Sequence, residues 1–165
     1  MIVDRTSLRR AFGAFATGVT VVTTGGDAPH GMTANSFTSV SLDPPLVLIC
    51  VGHEAIMHGA LRTARTFGVS VLASDQEAVA RYFADNSRPL GKEQFDTVDW
   101  LPGTQTGVPL IKGAMAHFEC DLRASHDGGD HTIFIGRLLS MDRGDATEAL
   151  IFHQGKFLSR IGVRT

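Results

Sequence analysis

Between Gly31 and Ser41 the chain reads Gly31-Met32-Thr33-Ala34-Asn35-Ser36-Phe37-Thr38-Ser39-Val40-Ser41, six hydroxyl or amide side chains in eleven residues without a charge among them. Neutral donors and acceptors of this kind can hold a polar or anionic ligand without burying an unpaired cation. The run leads through Leu42-Asp43-Pro44-Pro45 into the apolar Leu46-Val47-Leu48-Ile49-Cys50-Val51, which reads as a fully buried strand. On its own the polar run is equally compatible with a solvated edge, since Ser and Thr are common in loops and turns. Gly52 either lets a ligand approach the backbone or simply ends the strand in a turn. The second position with chemical potential is Gly129-Asp130-His131, just ahead of the β-rich Thr132-Ile133-Phe134-Ile135-Gly136-Arg137. A histidine at a strand start is either a polar turn residue or a group that orients a ligand.

Several other chemistries find no support. No G-x-G-x-x-G follows a strand and no Walker A sequence is present, so a nicotinamide would have to be held by another route. His53 and His58 are five residues apart, which on a helix turns them about 140° from each other, away from a common metal. His30, His117, His126 and His153 show no ligand spacing with a cysteine pair, and no metal site is expected.

The elements that would position these residues follow from periodicity. Thr6 can cap a first helix through Leu8, Ala11, Phe12 and Phe15, ended by Gly18. Val19–Thr24 reads as a strand turned by Gly25-Gly26-Asp27. Ala55–Ala64 has helical spacing, Phe67–Ala73 is strand-like, and Ser74 with Glu77 fits a capping box for a helix through Phe83. Residues 85–109 carry three prolines and several glycines, and such a long irregular connection is expected to cover a site or a partner. From Ala114 to Ser125 apolar and polar residues alternate strictly, as in a half-buried strand with His117 and Glu119 on its polar side. Asp127-Gly128-Gly129-Asp130 turns it into a strand over 131–141, and Leu150–His153 with Lys156–Leu158 makes another hairpin around Gln154-Gly155. Many strands, turn glycines and a few short helices argue for an antiparallel barrel and against a parallel sheet.

The quoted segments, with the opening Leu8–Thr24 and the closing Phe152-His153-Gln154-Gly155-Lys156-Phe157, closely resemble the flavin reductase family, small NAD(P)H-dependent enzymes that supply reduced flavin to partner monooxygenases. The likeness runs over nearly the whole chain. It implies a mainly β fold with short helices, the split β-barrel of FMN-binding Greek-key type, and a homodimer with the flavin near the subunit interface. By that resemblance Thr33, Ala34, Asn35, Ser36, Cys50, Val51 and Gly52 hold FMN or FAD, with Ser36 near the phosphate. His131, with Asp130, takes the NADH or NADPH side and is the catalytic position. Arg81, or Arg88 or Lys92 in the long loop, either neutralises the flavin phosphate or is a solvated charge. Phe157 is either core or a stacking face. Where relatives often carry a polar or basic residue followed by serine, this chain has Gly52-His53-Glu54-Ala55, which leaves the choice between FMN and FAD open. Rival readings are a non-enzymatic flavin carrier or redox sensor, and an enzyme that retains its flavin to act on an organic substrate.

Length and composition agree with one compact domain, 1–165: 43% hydrophobic, 19% charged, net charge −2. A weakly acidic chain has no electrostatic footprint for nucleic acid. There is no apolar run long enough to span a membrane and no signal-peptide core. Cys50 and Cys120 read as buried free thiols, which implies the cytoplasm.

Overall fold

The computed structural model describes residues 4–159. In chain order its elements are α1 (Arg5–Gly13), β1 (Thr17–Gly18), β2 (Thr20–Thr24), β3 (His30–Ala34), β4 (Thr38–Leu42), β5 (Pro45–Gly52), α2 (Ile56–Ala64), β6 (Thr66–Val71) and α3 (Glu77–Ala84). After a 3-10 turn at Gly91–Phe95 come β7 (Trp100–Pro102), β8 (Pro109–Ile111), β9 (Ala116–Gly128), β10 (His131–Arg143), β11 (Ile151–His153) and β12 (Lys156–Leu158). The architecture is mainly β, as expected. No helix among the described residues is long and apolar enough to cross a membrane.

Seven strands form one antiparallel sheet in the order β3-β2-β6-β9-β10-β5-β4. Its two edge strands, β3 and β4, are consecutive in sequence and joined only by Asn35–Phe37. Laid flat, such a sheet would hold its edges roughly 29 Å apart at ~4.8 Å per strand. A link of this length spans at most about 14 Å. The sheet must therefore curl until its edges meet, and the result is a barrel split at the Asn35–Phe37 seam.

Val22, Val47, Ile49, Val51, Met57, Leu61, Phe67, Val69 and Phe134 fill one core, and Val19, Val21, Leu72, Phe83, Phe95, Ile111 and Leu150 a second one beneath α3. Curling puts one face of each strand inside. For that reason β5 is not buried throughout: Val47, Ile49 and Val51 are buried while Leu46, Leu48, Cys50 and Gly52 are only partly so.

Other expectations need correction. The polar side of β9 faces water only in its second half, at Arg123 and Ser125; at its start His117 and Glu119 are buried, and the connection between β7 and β8 folds over Glu119. Glu119 there accepts from the Thr106 N–H and hydroxyl (both 2.7 Å), the Gln105 N–H (3.0 Å) and the Ser140 hydroxyl (2.8 Å). Burial alone would raise its pKa, but these hydrogen bonds outweigh it and leave the carboxyl below its ordinary value. His117 lies 2.6 Å from the Ile111 carbonyl. Ser74 does not cap α3; Gln76 stands there instead, its side chain accepting from the Ala73 N–H (3.0 Å) and donating to the Lys112 carbonyl (2.7 Å). Asp4, not Thr6, caps α1 by accepting from the Ser7 N–H. That helix ends at Gly13, whose carbonyl accepts from Gln154, and its Leu8 and Phe12, with Phe15 beyond it, are exposed.

Candidate active site

Pairing of β10 with β5 sets His131 opposite Gly52, Thr132 opposite Val51 and Ile133 opposite Cys50. The β9–β10 turn that delivers His131 is Gly129-Asp130, with Gly129 at φ +80°, a conformation that favours glycine. A second tie is the His53 N–H donating to the Asp130 carbonyl at 3.1 Å. His131 Nδ1 lies 2.7 Å from the Asp130 carboxylate. A carboxylate only accepts, so Nδ1 carries a proton and Nε2 is the ring nitrogen left for a ligand. The hydrogen bond and charge of His131 hold the Asp130 carboxyl below its usual range. A Cβ built on Gly52 would stand 3.7 Å from His131 Nε2, so the absent side chain leaves the strand end open beside the imidazole.

The split of the barrel brings the polar run to the same place. The Ser36 hydroxyl donates to the Cys50 carbonyl (2.8 Å) and accepts from the Cys50 N–H (3.1 Å), stitching the seam to β5. That hydroxyl is thus committed to the backbone, and Ser36 positions the seam. The Thr33 hydroxyl donates to the Ala80 carbonyl of α3 at 2.7 Å, and the Ala34 carbonyl accepts from Thr20 at 2.7 Å. Asn35 is exposed at the turn between them. Burial pushes the Cys50 thiol pKa up, and that of Cys120 to about 12; both are free thiols.

Next to the seam is a cavity of about 550 Å³, walled by β3 (His30, Met32, Thr33), by Glu54-Ala55-Ile56 at the start of α2, and by Asn86, Arg88 and Leu90 from the long connection. The start of the long connection thus lines this cavity and brings a cation to it. Arg88 is 9% exposed, donates to the carbonyls of Asp85 (2.6 Å) and Gly31, and lies 3.4 Å from His30 Nε2. Its Nε is buried with no partner. All these hydrogen-bond partners are neutral, and the Asp85 carboxylate acts on the guanidinium only through space, so the cation stands at the cavity wall without a direct ion pair. Arg81 is not brought here: it pairs with Glu77 at 2.6 Å and lies over the Phe157 ring, which itself packs on Phe152. Lys92 is exposed and borders a separate small cavity near Trp100.

His30 is the residue that reading by type missed. Burial and the neighbouring Arg88 depress its pKa from 6.5 to about 4, so it is neutral beside the cation. The unfolded chain then takes up a proton between those values that the folded chain refuses, and stability is expected to fall as pH drops from 6.5 to about 4. Urea midpoints near pH 7 and at about 4.5 check this; His30→Gln should remove part of the difference.

The two neighbouring histidines also differ from expectation. His53 precedes α2, so helical rotation does not separate it from His58, and their rings meet at 5.3 Å. His58 Nε2 is 2.8 Å from the Thr132 hydroxyl. Among the described residues no three His, Cys, Asp or Glu side chains cluster for a metal.

Residues 12–159 match the family model of the flavin reductase like domain. The chain belongs to the flavin reductase family. It is 60% identical over 154 residues to an NADH-dependent FAD reductase of Streptomyces globisporus, covering 93% of this chain and 85% of that one. It is 45% identical over 156 residues to an NADH-dependent flavin reductase of a Rhodococcus species, covering 92% and 84%. Among solved structures it is similar to the flavin reductase component of a bacterial two-component tryptophan halogenase, BorF, with TM-score 0.91, 57% identity and coverage of 94% and 97%. The Streptomyces globisporus NADH:FAD oxidoreductase, solved with NAD and FAD fragments, gives TM-score 0.91 and 56% identity, covering 98% and 94%. For a flavin reductase the residues present fit the cofactor: the orphaned Arg88 Nε suits a phosphate, and Gly52 leaves room for a flat ring against the backbone.

Proposed function

We propose that this protein reduces FMN or FAD with NADH and passes the reduced flavin to a partner flavin-dependent monooxygenase, acting as one domain in the cytoplasm. The observation that carries this reading is the register of β5 and β10, which sets His131 opposite the open end at Gly52 and next to the seam that Ser36 ties to Cys50. When bound, flavin and nicotinamide supply the hydride chemistry themselves. The chain's part is to bind, orient and cover. Backbone groups of Thr33, Ala34 and Asn35, with Cys50, Val51 and Gly52, line the flavin; Arg88, in place of Arg81, answers its phosphate. Asp130 fixes the His131 tautomer, and Nε2 is left to orient the nicotinamide.

A single chain leaves Val40, Leu42, Leu139 and Met141 in water, with Leu42 at 95% exposure, toward the end of the sheet opposite His131 and Gly52. An apolar surface of this kind favours a homodimer. The test is anaerobic mixing of the purified protein with NADH and excess FMN or FAD, run beside light scattering. We expect bleaching of all the added flavin over many turnovers, and a particle of twice the chain mass. Binding without bleaching would mean a carrier, and bleaching of only one flavin per chain would mean an enzyme that keeps its flavin.

A further inference from the structure

We infer that His58 is a positioning residue for hydride transfer, holding His131 in place against the flavin wall through the Thr132 hydroxyl; this rests on the flavin reading above and on the part it gives to His131. The Asp130 carboxylate orients the imidazole but is itself poorly held. It is exposed at a turn, and its other charged contact among the described residues is the exposed Arg5 guanidinium at 3.8 Å. An exposed pair of this kind fixes little. Firmer support reaches His131 from the residues on either side of it, and both are tied to α2 or to the residues leading into it. On one side the Asp130 carbonyl accepts from the His53 N–H at 3.1 Å. On the other, the buried Thr132 side chain points to the opposite face of the strand from His131, where its hydroxyl lies 2.8 Å from His58 Nε2.

His58 is itself firmly seated. Its ring stands edge-on to His53 at 5.3 Å and to Phe134 at 5.4 Å. The helix that carries it is anchored by Met57 and Leu61, both fully buried. Burial, with His53 and Arg62 nearby, holds the His58 pKa below its ordinary value, so the ring is neutral near pH 7 and sets no cation beside His131. The start of the same helix, with the residues before it, walls the flavin cavity through Glu54, Ala55 and Ile56. One rigid element therefore faces the flavin and fixes the strand end that carries His131. The hydrogen bond between His58 and Thr132 sets where the imidazole stands relative to the flavin, in the way a supporting contact holds a reacting constellation in register. Neither His58 nor Thr132 lines that cavity, so both act through His131.

The test is anaerobic single-turnover bleaching of bound flavin by NADH in His58→Leu and Thr132→Val, each of which removes the hydrogen bond and keeps an apolar side chain in its place. Each should slow the limiting rate by about ten-fold, a part of the roughly 100-fold that a misplacement of about 1 Å costs, with flavin affinity close to wild type. The double variant should be no slower than either single one, since the same bond is lost only once. His58→Gln, whose amide can reach the Thr132 hydroxyl, and Thr132→Ser should restore most of the rate. The deciding readout is the His131→Ala background, where no imidazole is left to position: His58→Leu and Thr132→Val should cost nothing further there. Equal slowing in both backgrounds would make the pair a structural tie and overturn the inference. A wild-type limiting rate in Thr132→Val would overturn it too, and this change, close in shape, decides the matter even if His58→Leu does not fold. Absence of bleaching by the wild type, or an unchanged rate in His131→Ala, would instead defeat the reading on which the inference rests, and the inference with it.

Discussion

His131→Ala is expected to slow bleaching of bound flavin by NADH on the order of 100-fold, with flavin affinity close to wild type, because displacing reacting groups by about 1 Å costs that much. The imidazole sits at the first residue of β10, fixed by the Asp130 carboxylate at 2.7 Å, and reaches the site through Nε2 alone. Nothing in the polar seam leans on it: Ser36 bonds Cys50, Thr33 bonds α3, and the His53 N–H bonds the Asp130 backbone, which alanine retains. Binding and chemistry should therefore separate. Anaerobic single-turnover bleaching across NADH concentrations distinguishes a weaker nicotinamide complex from a slower step within it. Unchanged rate and NADH affinity would reduce His131 to a turn residue.

Arg88→Met is expected to weaken FMN binding by roughly 1.5–3 kcal/mol, the range for a lost hydrogen bond to a charged group. That corresponds to about 10- to 150-fold in Kd. Methionine keeps an apolar stem on the Phe83 ring, where the guanidinium now rests, so the wall of the cavity stays filled. Riboflavin is the control. It has no phosphate, and calorimetric titration should give it nearly equal affinity for wild type and variant; an equal loss for both ligands would mean that Arg88 only shapes the loop. Arg88→Lys should recover part of the FMN affinity, since a point charge cannot make the guanidinium's several fixed contacts.

Why Arg88 and not Arg81 shows where local pattern stops informing. Arg81 stands four residues after Glu77 on a helix that periodicity already marks, so its 2.6 Å ion pair with Glu77 was open to a local reading. Arg88 is defined by contacts with His30 and Gly31, 58 and 57 residues earlier in the chain. No local spacing encodes such a meeting. His30 and Glu119 went unread for the same reason: polar side chains in alternating strands look solvated until another segment is known to cover them.

The sequence by itself determined β2, β5, β6 and β9 to β12, the turns around Gly129-Asp130 and Gln154-Gly155, the helices at α2 and α3, and the candidate segments Thr33–Ser36, Cys50–Gly52 and Asp130-His131, while β7 and the start of β8 lie in what reads as an irregular connection. These rest on side-chain period and on the backbone freedom of glycine, which act over a few residues. Only the tertiary structure decided that these segments converge and which of the basic residues borders the cavity. The physical reason is closure. A three-residue link between the two edges of a seven-stranded sheet forces it to curl, and that single constraint brings β3 to β5 and gives the covering loop a wall to fold against.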